Sequence, residues 1–147
     1  MYQRILVATD DSRLSRKAVK AAIGLAATTG GTLVALHVVP RYPTSYFEGA
    51  ITHTPQEIGQ IEKQWADRAQ ELVDGVVAAA TAAGVKAKAV VASSDHVAES
   101  VVAGARKHKC DLIVMASHGR KGLQRVLLGS ETQHVLTHSS IPVLVLR

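Results

Sequence analysis

Aromatic side chains are scarce: one Trp, three Tyr and one Phe make up 3% of 147 residues. That scarcity argues against a stacking platform for single-stranded nucleic acid, and no run of Lys or Arg forms a stripe, so no nucleic-acid partner is expected. Cysteine is almost missing too. The lone Cys110 has no internal partner, which excludes a disulfide framework, and at a strand entrance it reads as a small buried filler, not a nucleophile. No apolar run approaches the roughly 20 residues of a membrane helix, and no secretion signal opens the chain. A cytoplasmic protein without a membrane partner is the expectation. Enzyme signatures are absent as well: there is no G-x4-G-K-[ST], no G-x-G-x-x-G after the first strand, no G-x-S-x-G and no S-G-G-x-D-S. His134 and His138 share a helix face by spacing, but no third ligand lies near them, so no metal site is assigned.

The chain does contain a regular alternation of apolar runs and amphipathic segments. Its length suits a single domain over 1–147, able to bury about two-thirds of its unfolded surface without staples. Ile5 to Ala8 reads as a strand, and Thr9-Asp10-Asp11-Ser12 supplies cap chemistry for a helix from Leu14 to Thr29 that stops at Gly30-Gly31. Leu33 to Val39 is a second, nearly uncharged strand, as expected of one covered on both faces. A long connection from Pro40 to Thr54 leads to a capping box, Thr54-Pro55-Gln56-Glu57, and to a helix ending at Gly84 with Ile58, Ile61, Trp65, Leu72, Val73, Val76 and Ala80 on its apolar face. Val85 to Val91 alternates like an edge strand. Ser94 or Asp95 then caps a helix with Val97, Val101, Val102 and Ala105 inward. Leu112 to Met115, a short helix over Glu131 to Thr137 and a strand over Ile141 to Leu146 complete the order β-α-β-α-β-α-β-α-β. Strict alternation predicts an α/β, doubly wound parallel sheet with right-handed crossovers.

Chemistry concentrates between Asp111 and Thr132. Gly119 and Gly129 bracket a loop carrying Arg120, Lys121 and Arg125, and Gly129-Ser130-Glu131-Thr132 opens a helix whose free N–H groups and dipole favour phosphate. The same residues taken alone also describe a tight turn at Gly119 and a helix start capped by Ser130. Asp10 reads equally as an acceptor for a ribose hydroxyl or as a cap. His118 reads as a hydrogen-bonding spacer. A net charge of +5 fits a small phosphorylated ligand. Two strand orders accommodate five strands, and the glycine loop after the fourth faces the Thr9-Asp10 corner only in 3-2-1-4-5, which is the order expected.

Several segments together carry a resemblance. R-I-L-V-A-T-D-D-S from Arg4, H-V-V-P from His37, D-L-I-V-M-A-S-H-G-R-K-G-L from Asp111, L-L-G-S ending at Ser130 and I-P-V-L-V-L from Ile141 resemble the universal stress protein family over the whole chain. Nucleotide-binding members carry G-x2-G-x9-G-[ST]. Here Gly119, nine intervening residues, Gly129 and Ser130 match, and Ala116 replaces the first glycine. The resemblance implies a Rossmann-like sheet of the adenine nucleotide alpha hydrolase type. It implies that Ala8, Thr9 and Asp10 hold the nucleoside and that backbone groups at Val38 read the base. Met115, Ala116, His118, Gly119, Arg120, Gly129, Ser130, Glu131 and Thr132 then complete the site. The implied ligand is ATP, or ADP or AMP, with Mg2+ accompanying ATP. The implied role is a stress-response sensor or regulator, not an enzyme, working as a homodimer through Ile141 to Leu146. A nucleotide-free dimeric interaction module of the same fold, as in family members lacking the glycine motif, is the alternative, and Ala116 keeps it open. Because Ala116 follows a strand, extended geometry with negative φ is expected there.

Overall fold

In the computed structural model, which describes residues 1–43, 53–119 and 128–147, five strands form one parallel sheet in the order β3-β2-β1-β4-β5. The strands are β1 (Arg4–Ala8), β2 (Thr32–Val39), β3 (Ala87–Ser93), β4 (Leu112–Ala116) and β5 (Val143–Leu146). They alternate with α1 (Arg13–Thr29), α2 (Pro55–Ala82), α3 (Val97–Lys107) and α4 (Ser130–His138). The predicted doubly wound sheet and its order are those observed.

Side-chain alternation divides the core. Ile5 and Val7 point to the face covered by α1 and α2, where they meet Ala18, Ala22, Val73 and Ala80. Leu6 points to the other face, among Val101, Ala105, Ile113 and Val135. The central strands are thus apolar on both faces, as a sheet with helices on each side requires. Burying each of the larger of these side chains contributes about 1.5–3 kcal/mol. Alanines line α1 where it lies on the sheet, and Gly31 enters β2 so closely that a Cβ there would stand 2.9 Å from the carbonyl oxygens of Tyr2 and Gln3.

Helix ends follow local chemistry. Ser12 caps α1 by accepting the N–H of Ser15, and Gly30 ends it with φ 69°, the left-handed geometry that glycine adopts freely. The Thr54 capping box forms as the sequence predicts, with Glu57 reaching back to the Thr54 N–H. That backbone hydrogen bond lowers the Glu57 pKa against the opposing effect of burial.

Several boundaries differ from expectation. β3 starts two residues later than predicted and runs to Ser93, because its pairing with β2 is set by Leu33 opposite Ala87. The first half of α2 reaches past the sheet, so Ile58, Ile61 and Trp65 are only half-buried, and Tyr42 stacks on Trp65. Neither Ser94 nor Asp95 is the cap of α3; His96 is, while the Ser94 hydroxyl accepts the His96 N–H and the Asp95 carboxylate accepts the Arg41 N–H. With α3 started there, Ala98 packs inward and Val97 is 37% exposed. β5 begins at Val143, after Pro142, instead of at Ile141.

Candidate functional site

Three strands of the sheet end together at one edge. β1 delivers Ala8 and Thr9, β2 delivers His37 and Val38, and β4 delivers Met115 and Ala116, with β1 directly between β2 and β4. In an open parallel sheet the crevice at such a reversal of strand order is where ligands bind, here between β1 and β4.

The β1 exit is tightly built. Thr9 is buried, its N–H donates to the Leu36 carbonyl at 3.0 Å, and its hydroxyl lies 3.1 Å from that of Ser15. The His37 ring nitrogen Nδ1 sits 2.6 Å from the Thr9 carbonyl oxygen and so ties the ends of β1 and β2 together. Asp10 Oδ1 accepts the Ser12 N–H at 3.0 Å, the cap-like role open to it from sequence, while Oδ2 faces the β4 loop. Asp11 takes φ 61°, a left-handed conformation that Asp tolerates better than bulky residues.

The β4 exit meets it. A Cβ on Gly119 would lie 2.9 Å from Asp10 Oδ2, so the Gly119 backbone comes up against the Asp10 carboxylate. Gly119 has no left-handed φ, and what its missing side chain permits is this close approach; a turn continuing from it lies outside the described residues. Gly129 donates its N–H to the Ser117 carbonyl at 2.7 Å, and a Cβ on it would press against that same oxygen at 3.1 Å. Gly129, not Ser130, is the N-cap of α4, with Ser130 in the first turn. The N–H groups of Ser130, Glu131 and Thr132 therefore occupy the turn where helix geometry supplies no acceptor. Arg120, Lys121 and Arg125 lie outside the described residues.

Two of the predicted residues have their side chains committed elsewhere. The Thr132 hydroxyl, on a residue only 2% exposed, donates to the Ala116 and Ser117 carbonyls at 2.9 and 3.2 Å. Glu131 Oε2 accepts the Ala98 N–H at 2.9 Å and caps the first turn of α3. What these two residues still offer a ligand is backbone. His118 is a spacer as expected, its Nδ1 2.9 Å from the Ser117 hydroxyl. Ala116 lies within β4, opposite Leu146, outside the set of residues with positive φ, so its methyl group meets extended backbone as anticipated. Sequence reasoning missed His37 and Ser117, the two residues that pin the strand ends. His37 stood in the H-V-V-P segment, but nothing local announced that its ring would turn toward Thr9.

Among the described residues no group of three or more His, Cys, Asp or Glu side chains forms a metal cage, and no helix is long and apolar enough to cross a membrane. The ring centroids of His134 and His138 stand 4.2 Å apart.

A parallel sheet in this order, with Gly119 drawn up to Asp10 and Gly129 to the Ser117 carbonyl beside the central crevice, defines a doubly wound α/β protein with its candidate site at the switch point. The sequence profile described as the universal stress protein family matches residues 1–147, and the chain belongs to that family. It is similar to universal stress protein MJ0531 of Methanocaldococcus jannaschii, 33% identical over all of this chain and 83% of that protein. Among solved structures it resembles that of hypothetical protein MJ0577, at TM-score 0.83 and 27% identity over 99% of this chain and 96% of the other. It shares its fold with a universal stress protein in complex with cAMP, at TM-score 0.67 and 24% identity over 99% and 97% of the two chains.

Proposed function

We propose that this chain binds an adenine nucleotide, with ATP the expected form and ADP or AMP the alternatives, in the crevice between β1 and β4. In this reading it serves as a stress-response sensor or regulator. The observation that carries the reading is the approach of Gly119 to Asp10, which puts a Cβ-free backbone segment against a carboxylate at the mouth of the crevice. A carboxylate there suits ribose hydroxyls, and backbone N–H groups at the start of α4 suit phosphate. The residues fit such a ligand: without side chains, Gly119 and Gly129 bring their backbone up to Asp10 and to the Ser117 carbonyl, and Gly129 leads into the α4 N–H groups that can serve phosphate. Val38, buried at the end of β2, supplies an apolar wall and backbone groups for the base. Mg2+ would arrive on the phosphates of ATP and keep much of its water. No step of catalysis is assigned, and the cytoplasm is the expected compartment.

The working unit of this reading is a homodimer. Leu136 and Leu144 are 42% and 40% exposed, and Leu144 lies on β5, an edge of the sheet whose other residues are only half-buried. An apolar edge strand invites pairing with a second copy. Val143→Pro removes a ladder donor and should weaken the dimer. Sedimentation giving a monomer for the native chain at about 50 μM, a concentration well above ordinary interface Kd values, rejects this part of the proposal.

The nucleotide part is tested by calorimetric titration with ATP. Ligand at about 100 times its Kd should stabilise the fold by about 2.7 kcal/mol. Gly129→Asp should abolish binding, since its carboxylate repels phosphate. No heat and no thermal shift with the native chain at millimolar ATP would sink the proposal and promote the nucleotide-free module.

A further inference from the structure

At the opposite end of the sheet, where β1, β2 and β3 begin, a second cavity of about 460 Å³ opens. Arg4 from β1, Lys86 and Lys88 at the start of β3, and Lys107, His108 and Lys109 at the end of α3 line it. Its floor is Thr32, Leu33 and Val34 of β2 with Ala87. We propose that this basal cleft is a binding site for a linear polyphosphate anion, separate from the crevice at the strand C-termini.

Five permanent cations from three elements converge on one concavity, and no carboxylate among the described residues lines it. The nearest acid, Asp111, is turned to the main chain and accepts the N–H groups of Gln3 and Arg4 at 2.9 and 3.0 Å. Lys107 and its neighbour Arg106 complement the dipole at the C-terminus of α3. That explanation does not extend to Lys86 and Lys88, which come from another element, or to Arg4, whose guanidinium is held to the His108 carbonyl at 3.1 Å. The crowding is felt locally: burial first, then the charges of Lys88, Lys107 and Arg4, hold the His108 imidazole below its ordinary pKa.

The lining also selects the ligand class. A single phosphate would engage only part of a set of cations spread over three elements, whereas a chain of phosphates can reach across it. Apart from His108 no aromatic ring among the described residues lines the cleft, so bases find no stacking platform there. The cleft is open to solvent and its volume falls in the range of small-ligand pockets, so an extended anion can lie in it. The site lies a strand length, about 20 Å, from the crevice at Asp10, and it does not depend on the nucleotide reading.

Inorganic tripolyphosphate is the probe, titrated into the native chain at low salt while the His108 ring is followed by NMR. The expected result is saturable movement of the His108 signal with its pKa raised toward the ordinary value. Lys86→Gln/Lys88→Gln, two exposed positions at a strand start, should keep the fold by circular dichroism and weaken that binding about tenfold or more, with a salt dependence reduced by about one counterion per lysine. A His108 signal unmoved by millimolar tripolyphosphate overturns the proposal, as does equal affinity in the double variant. Tighter binding of a short RNA than of tripolyphosphate at the same His108-reporting site would assign the cleft to nucleic acid instead.

Discussion

Glu131→Ala separates two roles that one residue can hold. The family resemblance puts Glu131 in the nucleotide site, while the structure turns its carboxylate to the Ala98 N–H, joining the first turns of α4 and α3 across 33 residues of sequence. α3 has no side-chain cap of its own at His96, so this carboxylate does the work of an N-cap from a neighbouring helix. Loss of an N-cap costs about 0.5–2 kcal/mol, and Glu131 is exposed, which places the expected loss near the middle, about 1 kcal/mol. Unfolding entropy of about 2.1 cal/mol/K per residue gives about 0.3 kcal/mol/K for this chain, so Tm should fall by about 3 °C. Glu131→Gln keeps an acceptor and loses only the charge, and should fall about half as far. Differential scanning calorimetry of the three proteins, paired with ATP titration, decides the matter. An unchanged Tm for Glu131→Ala together with a tenfold loss of ATP affinity would refute the capping argument and give the carboxylate to the ligand.

Thr132→Val, nearly the same shape, removes the donor to the Ala116 and Ser117 carbonyls in a buried setting and should cost about 1–2 kcal/mol, read by urea denaturation. For Asp111, burial raises the pKa but the N–H groups of Arg4 and Gln3 outweigh it, leaving the carboxyl below its ordinary 3.8. Its contribution to stability is therefore complete above about pH 3.8 and is lost as pH falls through the lower folded value; Asp111→Asn should flatten that acid limb of the stability profile. Burial pushes the Cys110 thiol up to about 11, so alkylation at pH 8 should be slow in the folded chain and fast in denaturant. Ala116→Gly should change ATP affinity by less than about tenfold, or 1.4 kcal/mol, because extended backbone at Ala116 needs no glycine.

Strand order was legible in the sequence because chemistry constrained it: only one arrangement brought the Gly119 loop to Asp10, and that arrangement is the one formed. The Thr54 capping box and the Gly30 stop were legible because both are local, settled within one helical turn. What stayed hidden was long-range. The register of β3 depends on Leu33 meeting Ala87, which no window of sequence contains. The cap of α3 comes from Glu131, so a search of the residues before α3 could find only Ser94 and Asp95. Within the candidate site, residue types did not announce the division of labour among side chains. Thr132 reads as a phosphate contact and Glu131 as a member of the nucleotide site, and the side chains of both are structural ties in three dimensions.

Gly129 and Thr132 both close onto the carbonyls at the end of β4, so the chain enters α4 close to the point where it leaves β4. In polymer terms a chain joining two ends so fixed is a ring shut at its base. Doubling the length of such a ring adds only about 0.6 kcal/mol of closure entropy, because the closure itself is held by bonds outside the varied part. Insertions and deletions between His118 and Leu128 can therefore be absorbed while β4, α4 and the sheet keep their places. The fixed spacing of β4 and α4 is, on this geometry, a property of two hydrogen-bonded residues, Gly129 and Thr132.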